Sequence, residues 1–143
     1  MVDIYIEVES GAIKPTYAHE GDGAMDLYAK ACYVINPHQT LIIGTGIKVA
    51  IPKEYAMLVQ PRSGLSVKTK LRIPNSPGLI DSLYRDEVGV IIENTGNEPY
   101  IINRADRIAQ IRLVEAPVIN WIDIDDIKTI EGDRQGGFGS SGK

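Results

Sequence analysis

Cysteine is nearly absent from this chain, because Cys32 is the single thiol among 143 residues. One thiol excludes an internal disulfide and a zinc site built from several cysteines, and it favours the cytosol as the compartment. Long apolar runs are missing too, so we expect neither a membrane-spanning helix nor a signal peptide. The net charge of −4 offers no basic surface to nucleic acid. A phosphorylated ligand would therefore be held by a few well-placed cations.

Helical periodicity is scarce as well, and 14 glycines and 8 prolines interrupt the chain. With 43% hydrophobic residues, the chain is long enough for one domain with its own core. A short helix is predicted over residues 62–69, with Ser63 as its N-cap. Many short strands at close spacing predict a β-sandwich or barrel. The runs rich in β-branched residues are 3–8, 40–43, 46–51, 55–60, 88–93, 100–102, 107–114 and 118–122.

The last ten residues, RQGGFGSSGK, combine one guanidinium, two hydroxyls, an aromatic ring and four glycines. Such groups can hold phosphates and stack on a flat ring. Residues 137–143 also fill the first seven positions of the phosphate-loop pattern GxxxxGK[ST]. No Ser or Thr and no helix follows them, so we expect no nucleotide-binding loop of that type. A disordered Gly/Ser tail is the alternative.

Residues 61–66 (PRSGLS) offer an anion site at the predicted helix start. Arg62 supplies a planar fork of donors, Ser63 supplies a hydroxyl, and Gly64 permits close backbone approach. A turn with a surface arginine is the alternative.

Residues 75–87 (NSPGLIDSLYRDE) place a carboxylate directly after two apolar residues. At the edge of an apolar wall, Asp81 could take a proton from water. The charge run at 85–87 is typical of a solvated strand end. A buried ion pair of Arg85 with Glu87 or another acid is the alternative.

Residues 103–110 (NRADRIAQ) are typical of a charged turn that leads into a strand. Our interpretation is that Asp106 caps the turn and pairs with Arg107. Gln110 lies on a strand that otherwise belongs to the core, so its amide is expected near a ligand.

Together and in this order, the segments resemble the five motifs of the homotrimeric deoxyuridine triphosphatases (dUTP pyrophosphatases). The resemblance covers nearly the whole chain from about residue 20, and five ordered motifs make it specific. The family usually has glycine where this chain has Ala24, Asp86 and Ala105, and often has it at Gln135. The five segments are GAMDLYA at 23–29, PRSG at 61–64, GLIDSLYRDE at 78–87, ADRIAQ at 105–110 and RQGGFGSSG at 134–142.

The resemblance implies an all-β fold, a distorted jelly-roll β-barrel over residues 1–133, followed by a flexible C-terminal lid over residues 134–143. It implies Mg²⁺-dependent hydrolysis of dUTP to dUMP and pyrophosphate, which would keep uracil out of DNA and supply dUMP for thymidylate synthesis. Asp81 would be the general base for a water that attacks the α-phosphorus in line. Asp26 would reach the Mg²⁺ through water. The donors along the triphosphate would be Arg62, Ser63, Gln110, Arg134, Ser140 and Ser141.

The same resemblance implies how the base and the sugar would be selected. Backbone groups around Gly78 and Ile80 would pair with the uracil edge, with the Asn75 side chain as a possible contact, and cytosine would leave buried groups unpaired. Tyr84 would pack under the deoxyribose and exclude a 2′-hydroxyl, while Phe138 would stack over the uracil.

Glycines of the tail, among them Gly137 and Gly139, would let the lid travel and close. Each site would take motifs from three subunits, so a monomer should be inactive.

Two other functions stay open. A deoxycytidine triphosphate deaminase shares the fold and would need a glutamate catalyst, but Asp81 followed by Tyr84 favours the triphosphatase. A binding or regulatory protein on the same scaffold is less favoured, because no long insertion is present. His19 and His38 are expected at the surface, and Trp121 and Cys32 are expected to pack.

Overall fold

The computed structural model describes residues 1–133 and 135–137, and within them the chain is almost entirely β. One helix, α1 (Ser63–Lys68), and one 3-10 turn (Ile127–Thr129) accompany the strands. The strands are β1 (Tyr5–Val8), β2 (Met25–Tyr28), β3 (Tyr33–Ile35), β4 (Thr40–Gly44), β5 (Ile47–Ala50), β6 (Tyr55–Gln60), β7 (Leu71–Arg72), β8 (Gly78–Ile80), β9 (Gly89–Asn94), β10 (Tyr100–Ile102) and β11 (Arg107–Glu115).

Over this described part, the strands form four antiparallel sheets with the orders β2-β11-β6-β8, β4-β9-β7, β1-β5 and β10-β3. The predicted all-β, jelly-roll-like class is confirmed. The sheets remain separate in their hydrogen bonding, so the strands do not close into a continuous barrel.

The core forms where alternate residues of these strands point inward. On β9, Val90 and Ile92 are 0% and 1% exposed, whereas Ile91 between them is partly exposed. Burying one such side chain contributes about 1.5–3 kcal/mol. The buried Asn94 is satisfied, because its amide donates to the carbonyls of Ile35 and Glu98 at 2.9 and 2.8 Å.

Several sequence predictions need correction. Ser63 is the first helical residue and not the N-cap, a position that Arg62 occupies without a side-chain cap bond. Residues 118–122 form no strand, and Trp121 is 83% exposed, because nothing in the described chain pairs with this segment. Cys32 is exposed and does not pack in the core. His19 and His38 are exposed, as predicted.

Two of the positions where the related family usually has glycine adopt left-handed backbone. Ala105 has φ 70° and Gln135 has φ 53°. Neither Ala24 nor Asp86 has a positive φ. The Asp86 substitution therefore adds a charged side chain without left-handed backbone strain.

No helix in residues 1–133 or 135–137 is long and apolar enough to cross a membrane.

Candidate active site

Neighbouring strands bring polar side chains to one edge of the four-stranded sheet. Asp26 on β2 pairs with Gln110 on β11, and Gln110 pairs with Gln60 at the end of β6. Arg62 comes two residues after β6, and its guanidinium reaches Asp26. Residues far apart in the sequence thereby converge.

A β-bulge in β11 decides which side chains face this edge. Against β2, the register shifts between Arg107 and Ala109, and Ile108 is the extra residue. In a regular strand, residues 107 and 110 would point to opposite faces. The bulge changes this alternation, so Arg107 and Gln110 line the same cavity.

Asp26 is the centre of the polar cluster and is only 18% exposed. One carboxylate oxygen lies 2.8 Å from Arg62 Nε, and the other lies 3.5 Å from a terminal nitrogen of Arg107. The Gln110 amide donates to the carbonyl of Pro61 at 3.3 Å, which ties β11 to the segment that carries Arg62. The carboxylate thus holds two guanidiniums at one place.

These side chains border a cavity of about 340 Å³. Two cations, Arg62 and Arg107, lie there with the neutral donors Ser63 and Gln110, a combination that can bind phosphate oxygens. Gly64 and two carboxylates, Asp22 and Asp26, also line the cavity.

Arg107 is a site residue that the sequence reasoning missed. The predicted pair with Asp106 is wrong, because the carboxylate beside Arg107 is that of Asp26. Asp106 accepts from the backbone N–H of Asn103 and caps the turn as predicted. A signal was available, because the two consecutive apolar residues Ile108 and Ala109 break strand alternation and indicate a bulge.

The third predicted motif forms a separate group around β8. Gly78 and Ile80 are buried and have no polar side-chain atom, so any hydrogen bond from them to a ligand would come from their backbone groups. A Cβ at Gly78 would lie 3.3 Å from the Asn75 amide nitrogen, which shows that this side chain packs against the glycine. Asp81 is exposed, and Tyr84 is 40% exposed.

The loop that follows β8 is braced by its own hydrogen bonds. Tyr84 N–H donates to the Asp81 carbonyl at 3.1 Å, and the Arg85 guanidinium donates to the carbonyls of Ser82 and Tyr84. The alternative pair of Arg85 with Glu87 is wrong, because the Glu87 carboxylate instead bonds to Lys30.

One chain does not bring Asp81 to the cavity. Asp26 on β2 and Gln60 on β6 both pair with Gln110 of β11, so they lie at the same level of the sheet. On the other side of β6, Ile80 of β8 pairs with Met57, and Asp81 lies one residue beyond Ile80. Three strand spacings and four residues along β6 separate the two acids, which puts their backbones about 20 Å apart. Their short side chains cannot meet around one phosphorus atom.

Part of the predicted site lies outside the described residues. This applies to Arg134, Phe138, Gly139, Ser140 and Ser141. Gly137 is described and half-buried.

The fold and the cavity together define a class: a β protein with a polar cavity at a sheet edge whose groups suit a phosphorylated ligand. The sequence model of the dUTPase family matches residues 11–142, and the chain belongs to this family.

Relatives support the assignment over the full length. A deoxyuridine 5′-triphosphate nucleotidohydrolase of Wolbachia pipientis subsp. Culex pipiens is 47% identical over 132 residues, 90% of this chain and 86% of the relative. The protein of the same name from Clostridium acetobutylicum is 39% identical, over 99% of this chain and 98% of its own.

Solved structures agree in fold. A dUTPase of phage 80α aligns with a TM-score of 0.86 at 25% identity, covering 96% of this chain and 98% of that one. A Staphylococcus bacteriophage 80α dUTPase with dUpNHpp aligns with a TM-score of 0.89 at 24% identity, over 100% of both chains.

Proposed function

We propose that this chain hydrolyses dUTP to dUMP and pyrophosphate, at a site shared between the subunits of a homotrimer. The observation that carries the proposal is the convergence of Asp26, Arg62 and Gln110 on one polar cavity in a member of the dUTPase family. Relatives named deoxyuridine 5′-triphosphate nucleotidohydrolase over nearly their whole length support the choice of substrate.

The cavity would hold the triphosphate. Arg62 bonds to Asp26 through Nε, and its terminal nitrogens can donate to phosphate oxygens. Ser63 lies in the first helical position, where its hydroxyl is not used as an N-cap. Gln110 and Arg107 supply further donors from β11. In the transition state the negative charge lies on phosphate oxygens, so hydrogen-bond donors already placed around those oxygens would supply most of the rate enhancement.

The donor set fits Mg²⁺ bound mainly through the substrate. Among the described residues, no three His, Cys, Asp or Glu side chains stand together as a direct metal site. Asp26 is one of only two carboxylates that the described chain places at the cavity, the other being Asp22, and so small a number suits an ion that keeps several waters. Asp26 would accept hydrogen bonds from those waters. When bound, Mg²⁺ would neutralise charge on the phosphates.

Asp81 would act as the general base of a neighbouring subunit's site. It would take a proton from the water whose oxygen attacks the α-phosphorus, while the bond to the bridging oxygen breaks and pyrophosphate leaves. The separation of about 20 Å between Asp81 and Asp26 in one chain supports this division between subunits.

Selectivity would come from the β8 region of that second subunit. The backbone around Gly78 and Ile80, with Asn75 beside it, would pair with uracil, and Tyr84 would pack under the deoxyribose. Residues 134–143 of a third subunit would close as a lid, with Arg134, Ser140 and Ser141 on the phosphates and Phe138 on the base.

The variant Asp81→Asn tests this mechanism. We expect turnover of dUTP to fall by about two to four orders of magnitude, the contribution of a positioned base, while dUTP binding stays. Pyrophosphate release measures the first and equilibrium binding the second. In water labelled with heavy oxygen, the label should enter dUMP and not pyrophosphate. Near-normal turnover of the variant would remove Asp81 from its role.

A further inference from the structure

An ion cluster at the end of the β8 loop joins it to the body of the fold. One carboxylate oxygen of Glu87 accepts from Lys30 Nζ at 2.9 Å, and the other accepts from the Gly46 N–H at 2.8 Å. Lys30 Nζ also donates to Glu9 at 3.1 Å. The side chains of Lys30 and Glu87 are 30% and 33% exposed. Glu87 is therefore fixed from two sides.

The turn between β4 and β5 is shaped around this cluster. A Cβ at Gly44 would lie 2.7 Å from a Glu87 carboxylate oxygen and 2.8 Å from Lys30 Cε, so a larger residue would displace both. The Gly44 carbonyl accepts from the Lys30 N–H at 2.9 Å. Gly46 has φ 71°, which turns its N–H towards Glu87 at little steric cost.

The cluster reaches the proposed sugar site through one hydrogen bond. Tyr84 donates its hydroxyl to the backbone carbonyl of Glu87 at 2.8 Å. That carbonyl has little freedom, because the Glu87 side chain is anchored and the next N–H, of Val88, donates to Ile47 at 2.8 Å. The backbone of Tyr84 is held as well, because its N–H donates to the Asp81 carbonyl.

We propose that Glu87, held by Lys30, is a positioning residue that fixes the Tyr84 ring and so determines how strictly the site rejects ribonucleotides. The inference rests on the proposed function and names a specificity device for the same site. A ring held through its hydroxyl stays in its place under the sugar, so the added 2′-hydroxyl of UTP meets a side chain that cannot move aside. Without the anchor, the carbonyl and the ring move together, and UTP gains room.

The chain offers a matched control. Lys48 and Glu7 form an ion pair of 3.1 Å between β5 and β1, with side chains 47% and 73% exposed. Within the described chain, neither side chain forms a hydrogen bond to the β8 loop. The Lys48→Met variant likewise loses a lysine and an ion pair of similar length, but at a place that does not contact Tyr84. It therefore separates general effects of a lost ion pair from effects on the ring.

The experiment compares kcat/KM for dUTP with that for UTP in the wild type, Lys30→Met, Glu87→Ala, Tyr84→Phe and Lys48→Met. We expect the ratio to fall about three- to tenfold in the first three variants, the effect of one lost hydrogen bond, and to stay within about twofold in the last. Tyr84→Phe should add little in a Glu87→Ala background, because the Ala variant already releases the backbone carbonyl through which the Tyr84 hydroxyl is held. Thermal unfolding and oligomer size are measured first, so that rates are compared on folded protein.

Four outcomes decide. A lowered ratio in the anchor variants, with little further loss from Tyr84→Phe, supports the positioning role. An unchanged ratio in an active Glu87→Ala or in Tyr84→Phe overturns it and leaves the proposed function standing. If the anchor variants fail to fold, Tyr84→Phe decides alone, because it keeps the ring and the cluster intact. A wild type without dUTP turnover overturns the proposed function and this inference with it.

Discussion

Mixing two inactive variants would show whether the site is shared between subunits. Asp81→Asn removes the proposed base, and Arg62→Gln removes a phosphate donor that contacts Asp26. Within one chain, the strand registers put Asp81 about 20 Å from Asp26. The two substitutions therefore damage different sites when they sit in the same subunit.

The expected activity follows from random assembly. In an equal mixture, a site draws residue 81 from one subunit and residue 62 from another, and each is intact in half of the cases. We therefore expect the refolded mixture as a whole to have about one quarter of wild-type activity, well above either variant alone. If both residues came from the same chain, every site would carry one substitution and no activity would return.

The assay is pyrophosphate release after both variants are unfolded, mixed and refolded together. Tags of different mass confirm that mixed oligomers form. A mixture of wild type with Asp81→Asn is the control for refolding yield and should give about one half of wild-type activity. Verified mixed oligomers that show no gain over the single variants would refute the shared site.

Three further outcomes are expected. Ala105→Gly should raise the free energy of unfolding, measured in urea titrations, by about 0.5–1 kcal/mol. Left-handed backbone at φ 70° costs an alanine about 1–2 kcal/mol, and the greater freedom of glycine in the unfolded chain offsets about half of that gain. An unchanged or lower free energy of unfolding would contradict the prediction. Burial alone would raise the pKa of Glu87, but the hydrogen bonds from Lys30 and Gly46 hold the pKa below its ordinary 4.5. The stabilisation that Glu87→Gln removes should therefore be largest above that pH and shrink as the pH falls through the lowered pKa, whereas a difference independent of pH would exclude the ion pair as its source. Deleting residues 134–143 should leave a folded oligomer with severely reduced dUTP turnover, and an unfolded product would make the tail structural.

Local pattern was sufficient for some strands and not for others. The strands Tyr55–Gln60 and Tyr100–Ile102 were predicted with the bounds they have, because each is a short, largely apolar run between turn signals. Residues 118–122 have similar composition but no partner strand in the described chain, and a strand needs a partner for its backbone hydrogen bonds. The short strand Leu71–Arg72 is defined by its pairing with β9, and the local sequence pattern does not predict that pairing.

The site was predictable by residue type and not by arrangement. Asp26, Arg62 and Gln110 were expected to serve one ligand, and they line one cavity. Their convergence depends on pairing between distant strands, and the inclusion of Arg107 depends on a bulge. The anchoring of Glu87 by Lys30 joins residues far apart in the sequence, so only the folded chain could show it.

The most direct test measures pyrophosphate and ammonia released from each deoxynucleoside triphosphate and from UTP, with and without Mg²⁺. We expect rapid pyrophosphate release from dUTP alone, and loss of that activity when Mg²⁺ is removed. Ammonia released from dCTP without pyrophosphate from dUTP, or equal turnover of all the triphosphates, would contradict the proposed function.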